Sequence, residues 1–501
     1  MVIQPDGQIL VGGLFNVLGG QSRLALGRVT SSGVIDAGFD AGLSGPFGTA
    51  LHSLANQPDG KIVLAGTFTG LGGQPRGGIG RVNGSSVLES TYDPGAVLYP
   101  SCLLVQPDNK ILVGGYFTTV AGQPRTNLAR LNPDGTLDAN FNVSAQGIVV
   151  AALAVQDDGK IVVAGTFTNL AGEACTNVGR LTSSGGFDSS FHSSAIGGGA
   201  GPVAIQPDGR ILVAGSFTSL AAQPRKYLGR LNSGGDLDIT FNPAPDALVS
   251  GIALQADGKI IVCGGFTNIA GARRTYLARL YADGTVDTNF DCNITGNNPG
   301  LFPAYVNSAP IQADGKIVLG GVFTGVAGQP RRSLARLINT SSPTQSLSFT
   351  ASTITWSRSG TCPELWRTAF DASTNDTDWI PLGAGARVPG GWQLTGVSGP
   401  PNANIRGRGF VVNGGRDTGF VEAFSRPVIQ TRDPAFGFRS NQFGFQVAGS
   451  PGQAVVIEAS AELTNWISVL TNTAGTGLID FRDPASSTLA RRFYRARFQQ
   501  P

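Results

Sequence analysis

Gln106-Pro107-Asp108-Asn109-Lys110-Ile111-Leu112-Val113-Gly114-Gly115 decides the fold. The first half is a tight turn. Pro presets φ, Asp hydrogen-bonds locally, and the next position takes the left-handed conformation that glycine, or here Asn109, tolerates. The second half is a strand, and the unbroken run Ile111-Leu112-Val113 suits one covered on both faces. The same segment recurs with its aspartate at Asp6, Asp59, Asp108, Asp158, Asp208, Asp257 and Asp314, at intervals of 49 to 57 residues. A period of about 40–50 residues with several strand signals per unit is that of a β-propeller blade. Seven blades are expected.

Downstream of each turn the device repeats. Leu128-Ala129-Arg130-Leu131-Asn132 enters Pro133-Asp134-Gly135, and Thr136-Leu137-Asp138 leaves. A three-residue loop ending in Gly predicts a hairpin. Leu131 then faces Leu137, Arg130 faces Asp138, and each unit should hold four strands. The arginine recurs as Arg28, Arg81, Arg130, Arg180, Arg230, Arg279 and Arg336. Its acid, eight residues later, is Asp36, Glu89, Asp138, Asp188, Asp238 and Asp287, with Thr344 in the seventh unit. An aromatic follows each acid: Phe39, Tyr92, Phe141, Phe191, Phe241, Phe290. A cross-strand Arg–carboxylate pair fixes register. Because the ladder is present in every unit, a structural role is expected; direct ligand contact is the competing reading.

The chain has 501 residues, with 72 Gly, 29 Pro and only 14% charged residues. That balance excludes charge-driven disorder and a helical bundle. Net charge is +3, without a basic run, so no nucleic-acid partner is expected. No apolar stretch of about 18 residues is present, so no membrane span is expected. Met1 to Gly7 opens inside a repeat and carries no leader pattern; an N-terminally truncated fragment is the expectation. Cys102, Cys175, Cys263, Cys292 and Cys362 form no C-x-x-C pair. They read as small apolar strand residues, with a Cys263–Cys292 disulfide as the alternative.

Q-P-D-G-K-I-L-V-G-G-x-F and L-A-R-L-N-x-D-G-x-L-D-x-x-F are the patterns of the bacterial delta-60 repeat family, which residues 2 to about 340 resemble. The resemblance implies a β-propeller in secreted or surface-exposed bacterial proteins and no particular activity.

Beyond the repeats the composition shifts. Trp356, Trp366, Trp379, Trp392 and Trp466, all five tryptophans, lie after residue 340. The expected organisation is a propeller over 1–340, an immunoglobulin- or fibronectin-like β-sandwich over 341–425, a linker over 426–436 and a small β-domain over 437–501. Strands are predicted at 346–350, 354–357, 365–370, 379–380, 392–394 and 405–412. Ser373 to Trp379 loosely resembles an Asp-box turn. Asp371, Asp376 and Asp378 could bring oxygens to calcium, but the spacing fits no EF-hand loop, and a solvated turn is expected. The last unit resembles E-A-S-x-x-L-x-x-W and R-F-Y-R-A modules that end secreted proteins of Verrucomicrobia-like bacteria. Its Arg491, Arg492, Arg495 and Arg497 are expected on a protected edge strand.

Catalytic signatures are sparse. His52 and His192 sit at non-equivalent positions, and neither a G-x-S-x-G elbow nor a P-loop occurs. Turns and the ladder account for most acids, and the candidates left over are Glu173, Glu364, Asp371 and Glu422. The expectation is therefore an all-β, monomeric, secreted or cell-surface protein. It would bind an unknown protein or glycan, with no catalytic residue, metal or cofactor. The alternative is an enzyme working in the propeller's funnel, acting on carbohydrate or as a metal-dependent lactonase. Its residues would come from inter-blade loops, of which Asp291 to Tyr305 is the longest.

Overall fold

In a computed structural model, residues 1–499 are described, apart from 47, 297–302, 340, 351, 399–402, 431–434, 440–441, 450–453, 464, 474–477 and 487–491. Strands and turns make up the fold, with no helix among the described residues. Blade 3 shows the unit. An inner strand, Pro100–Val105, pairs antiparallel with a middle strand, Ile111–Gly115, which pairs with an outer strand, Leu128–Leu131. This inner–middle–outer order recurs from blade 1 (Val2–Ile3, Ile9–Gly12, Leu26–Val29) to blade 7 (Tyr305–Ser308, Ile317–Val322, Leu334–Leu337).

The fourth strand of each unit is shorter than the pattern suggests. The predicted register holds, with Asp138 N donating to Arg130 O at 2.8 Å and Asn132 N to Thr136 O at 2.8 Å. Only the Leu131–Leu137 bridge marks the strand, however. Asp138 ends it by capping a turn: its carboxylate accepts from Asn140 N at 3.1 Å, and its carbonyl accepts from Phe141 N at 3.2 Å.

Apolar faces of neighbouring blades pack on each other. Leu104, Leu112 and Leu128 of blade 3 share a core with Val150, Leu153 and Val163 of blade 4. The ring closes where Val318 and Leu334 of blade 7 meet Ile3, Ile9 and Val11 of blade 1. At the turn, Asn109 has φ +63°, where the other six units place glycines at +77° to +81°. Asn109→Ala is expected to lower stability by about 1 kcal/mol, the cost of a left-handed Cβ, and Asn109→Gly to leave it nearly unchanged. Urea denaturation midpoints check both.

Residues 344–424 form two four-stranded sheets. One runs Thr344–Thr350, Thr353–Ser359, Gly391–Leu394, Ala386–Val388; the other runs Ile380–Gly383, Arg367–Ser373, Asn404–Asn413, Asp417–Phe424, and its last strand continues into the blade 2 sheet through a parallel bridge between Thr418 and Ala55. This is the A-B-E-D and C′-C-F-G order of immunoglobulin-type sandwiches. Trp356 is fully buried between the sheets, edge-on to Phe370 with ring centroids 6.4 Å apart. The predicted strand at 365–370 lies at Arg367–Ser373, and Ala386–Val388 and Asp417–Phe424 were not predicted.

Part of the expected linker is a strand: Val428–Gln430 pairs with Gln442–Ala448 in the last unit. That unit has one sheet of Val428–Gln430, Gly437–Arg439, Gln442–Ala448 and Leu478–Asp483. A second holds Ile467–Thr473, Ala454–Ser460 and Phe493–Phe498. Phe493–Phe498 is an edge strand, with Arg495 and Arg497 on Glu458 at 2.7 and 3.0 Å. Arg492 pairs with Asp483 at 3.1 Å, and Arg491 lies outside the described residues. All five cysteines are free, which overturns the Cys263–Cys292 alternative. Cys263 is sealed in blade 6 on a middle strand, and Cys292 lies beyond that blade's last aromatic.

Candidate functional site

Each blade leaves the inner edge of its innermost strand unpaired, facing the axis. An open strand edge presents main-chain N–H groups that need partners. Here the partner is the sandwich's own hairpin, Asn404–Asn413 with Asp417–Phe424, whose tip enters the channel. Gly414 O accepts from Val203 N of blade 5 at 3.1 Å, Gly415 O from Leu153 N of blade 4 at 2.8 Å, and Arg416 O from Leu103 N of blade 3 at 3.2 Å. Asp417 Oδ1 accepts from Leu54 N of blade 2 at 2.8 Å. The tip therefore winds around the axis at one residue per blade. Ser53 Oγ donates to Arg416 O at 2.5 Å, and Thr418 Oγ1 donates to Leu103 O at 3.1 Å. Two left-handed glycines, Gly414 (φ +57°) and Gly415 (φ +74°), make this winding feasible.

The sandwich covers the propeller face that carries the Q-P-D-G turns. Ala256 N donates to Cys362 O at 2.8 Å, Asp257 N to Gly360 O at 3.0 Å, and Arg367 reaches Gln106 O at 3.4 Å. Tyr99 and Tyr116 flank the other ends of the blade 3 strands, on the opposite face.

Inner strands also share a β-bulge, which re-aims a side chain. Register slips between Leu51 and Ser53, Pro100 and Cys102, Val150 and Ala152, Ala200 and Val203, Val249 and Gly251, and Val306 and Ser308. The residues left out are His52, Ser101, Ala151, Gly201 with Pro202, Ser250 and Asn307. They differ from blade to blade while the flanking strands repeat.

The arginine ladder spans blades. Arg130 lies over the Phe141 ring at 4.4 Å and donates to Asp138 at 2.8 Å. Its Nη1 donates to Ser183 O of blade 4 at 3.0 Å. Arg28 reaches Gly84 O at 2.7 Å, Arg81 reaches Pro133 O at 2.7 Å, and Arg180 reaches Ser233 O at 2.5 Å. Arg230 bonds Ala282 O, and Arg279 bonds Asn339 Oδ1 at 2.6 Å. Arg336, whose unit lacks an acid, bonds Ser31 O of blade 1 and completes the circle. Five of the six acids, Asp36 excepted, also receive a second cation that the sequence pattern did not single out, such as Lys110 on Asp138 at 2.9 Å and Lys259 on Asp287 at 3.1 Å. Burial by itself would raise the Asp138 carboxyl. Hydrogen bonds from Lys110 and Arg130 outweigh it and hold the group below its ordinary range.

The acids outside the ladder divide. Glu173 is exposed on a short edge strand, and Glu364 pairs with Arg387 at 2.7 Å. Asp371 and Glu422 share one sheet with Arg406 and Arg408 between them. Asp371 is held by Arg406 at 3.1 Å and Arg408 at 2.8 Å, so both carboxylate oxygens are taken. Burial pushes the Glu422 carboxyl up. Asp376 accepts from Asn404, and Asp378 from Asn375, so the three acids near Trp379 do not converge. Among the described residues no group of three His, Cys, Asp or Glu is placed to hold a metal. His52 and His192 are exposed and sit in different blades. Much of the Asp291–Tyr305 loop, residues 297–302, lies outside the described residues.

Fold and channel define a seven-bladed β-propeller, an interaction platform closed from one face. The repeats at residues 4–39, 57–92, 106–141, 156–191, 206–241, 255–290 and 312–342 belong to the family described as "Domain of unknown function (DUF5122) beta-propeller". No curated protein matches the chain in sequence. Among solved structures it is similar to PorZ, an essential bacterial surface component of the type-IX secretion system of Porphyromonas gingivalis. That match has TM-score 0.34 and 10% identity, and it covers 95% of this chain and 62% of PorZ. A glycoside hydrolase matches with TM-score 0.22 and 12% identity over 90% of this chain and 94% of that one. Bacteroides ovatus xyloglucan PUL GH43B matches with TM-score 0.23 and 10% identity over 95% and 91%. None of the three bears on what this chain binds. Among the described residues no helix is long and apolar enough to cross a membrane.

Proposed function

We propose that the chain is a non-catalytic, secreted or surface-exposed binding protein that recognises glycans on the propeller face opposite the sandwich. The carrying observation is a break in the repeat. Tyr116 is the one aromatic at a position where the other blades have Leu14, Thr67, Thr166, Ser216, Gly265 and Val322, and its ring lies 6.3 Å from that of Tyr99. The two are 48% and 49% exposed, with Leu98 and Ile148 exposed beside them in blades 3 and 4. A motif in every blade serves the blade, whereas a feature in one sector suits a ligand. Tyr rings offer an apolar face with a polar tip, which matches the mixed surface of a sugar.

The channel supports the same reading, because the chain's own main chain closes it from the sandwich side and leaves only the opposite face open to a ligand. The carbohydrate-cleaving alternative would draw on Asp371 and Glu422, and Asp371 has no free oxygen to offer. A glycan array probed with the purified chain, with and without calcium, tests the proposal. Binding to a subset of sugars is expected, weakened at least about tenfold in Tyr99→Ala/Tyr116→Ala, the loss of two stacking contacts. Flat binding across all sugars, or retention by the double variant, would sink it.

A further inference from the structure

Arg416 is carried into the channel by the hairpin tip, yet only its main chain serves the plug. Among the described residues its guanidinium has no hydrogen-bond or ion-pair partner, in a chain whose other interior arginines are mostly paired. The guanidinium lies on the axis. A Cβ on Gly201 of blade 5 would come 3.7 Å from its Nη2. Its charge is also felt by His52 of blade 2, Cys102 of blade 3 and Cys263 of blade 6. These positions bracket the axis at the level of the bulges, toward the face that the sandwich leaves uncovered.

The second observation is the ring of bulge residues. At one equivalent position the blades present His52, Ser101, Ala151, Gly201, Ser250 and Asn307, four polar groups and two small ones where the rest of the strand repeats. Ser250 Oγ donates to Val306 O at 2.9 Å, which orders that part of the ring. A cation at the end of a narrow channel with low-dielectric walls attracts anions more strongly than one on an open surface. A guanidinium pairs best with a planar carboxylate, through two parallel hydrogen bonds.

We propose that Arg416, with the polar bulge residues around it, forms a binding site for a carboxylate-bearing sugar such as a uronic acid. The site is entered from the face that carries Tyr99 and Tyr116. This deepens the glycan reading above by naming the ligand's charge, and it rests on that reading. The ring's hydroxyl, amide and imidazole groups would meet the sugar hydroxyls, and Tyr99 and Tyr116 would flank the entrance. The propeller provides the walls, and the hairpin from the next domain provides the charge.

Titration calorimetry on the full chain tests it, with oligogalacturonate as the acidic probe and a neutral galactan oligosaccharide as the control. The expected result is binding of the acidic probe, weakened by added salt. Arg416→Gln should lose at least about tenfold in affinity, the scale of one charge-assisted hydrogen bond, and Arg416→Lys should lose less. Both substitutions keep the main-chain carbonyl that holds the plug, so an unchanged melting temperature separates a lost site from a lost fold. Preference for the neutral probe, or equal binding by Arg416→Gln, would overturn the acidic-sugar site while leaving a glycan-binding face. Binding of neither probe, together with a flat glycan array, would overturn both.

Discussion

Arg279→Ala is expected to destabilise the propeller by about 3–5 kcal/mol, the range for breaking a buried ion pair from one side. Arg279 and Asp287 are each 1% exposed. The guanidinium does three things at once. It donates to Asp287 at 2.9 Å, lies over Phe290 at 4.6 Å, and donates to Asn339 at 2.6 Å in the blade 7 turn. Removing it leaves Asp287 in the interior with Lys259, the Tyr281 hydroxyl and Asn289 N as its partners but without the buried guanidinium, and it unlinks blade 6 from blade 7. Arg279→Lys keeps the charge but cannot make both contacts from a planar fork, so an intermediate loss is expected. Asp287→Asn should cost less than Arg279→Ala, because an amide oxygen still accepts. Guanidinium unfolding monitored by tryptophan fluorescence does not report this well, since every tryptophan lies outside the blades; far-ultraviolet circular dichroism of the full chain does. A loss below about 1 kcal/mol, the level of an exposed pair, would show that the ladder contributes little to the ring.

The repeat made the blades legible because each signal in it is local. The Q-P-D-G turn, the apolar run after it and the Arg-to-acid spacing of eight residues all act within one unit, and the hairpin register of Arg130 on Asp138 follows from a three-residue loop. What joins units was not legible. Arg130's second bond, to Ser183, crosses a blade boundary that periodicity cannot see. Lys110 reaches Asp138 only because the middle and outer strands pair in the fold. The hairpin tip at Asn413-Gly414-Gly415-Arg416-Asp417 carried a turn signal, since Asn-Gly between two alternating strands is a strong one. Its destination depends on seven strand edges meeting at one axis, a property of the closed ring and of no single segment. The bulges that set His52, Ser101 and Ser250 apart were hidden for the same reason: in sequence they are one residue inside a strand.

Gly415→Val is expected to expel the tip and release the sandwich from the propeller. At Gly415 a Cβ would lie 2.8 Å from Leu153 O, 2.8 Å from Val203 Cγ2 and 3.0 Å from Ala152 Cβ, in a backbone at φ +74°. The atoms in the way belong to the inner strands of blades 4 and 5, which are pinned by their own ladders and cannot step aside. A β-branched residue at positive φ adds backbone strain to the clash. Once the tip leaves, the N–H groups of Leu54, Leu103, Leu153 and Val203 lose their partners together, and each costs about 1–3 kcal/mol if it stays dry. Water entering the emptied channel recovers part of that, so the blades themselves should remain folded. The remaining docking contacts, at Gly360, Cys362, Pro363, Glu364 and Arg367, lie at the rim. A protease site inserted after Ser342 makes the effect measurable. After cleavage the two pieces of the otherwise unaltered chain should elute together on size exclusion, while those carrying Gly415→Val should separate, with affinity reduced at least about a hundredfold. Asp417→Asn keeps an acceptor for Leu54 N but loses the buried ion pair of Asp417 Oδ2 with the Met1 ammonium at 2.9 Å, so it should dock more weakly than the unaltered chain without being released as Gly415→Val is. If cleavage alone releases the sandwich, the plug does not hold the two domains together. If the Gly415→Val pieces remain joined as tightly as before, the rim contacts do that work and the tip merely fills space.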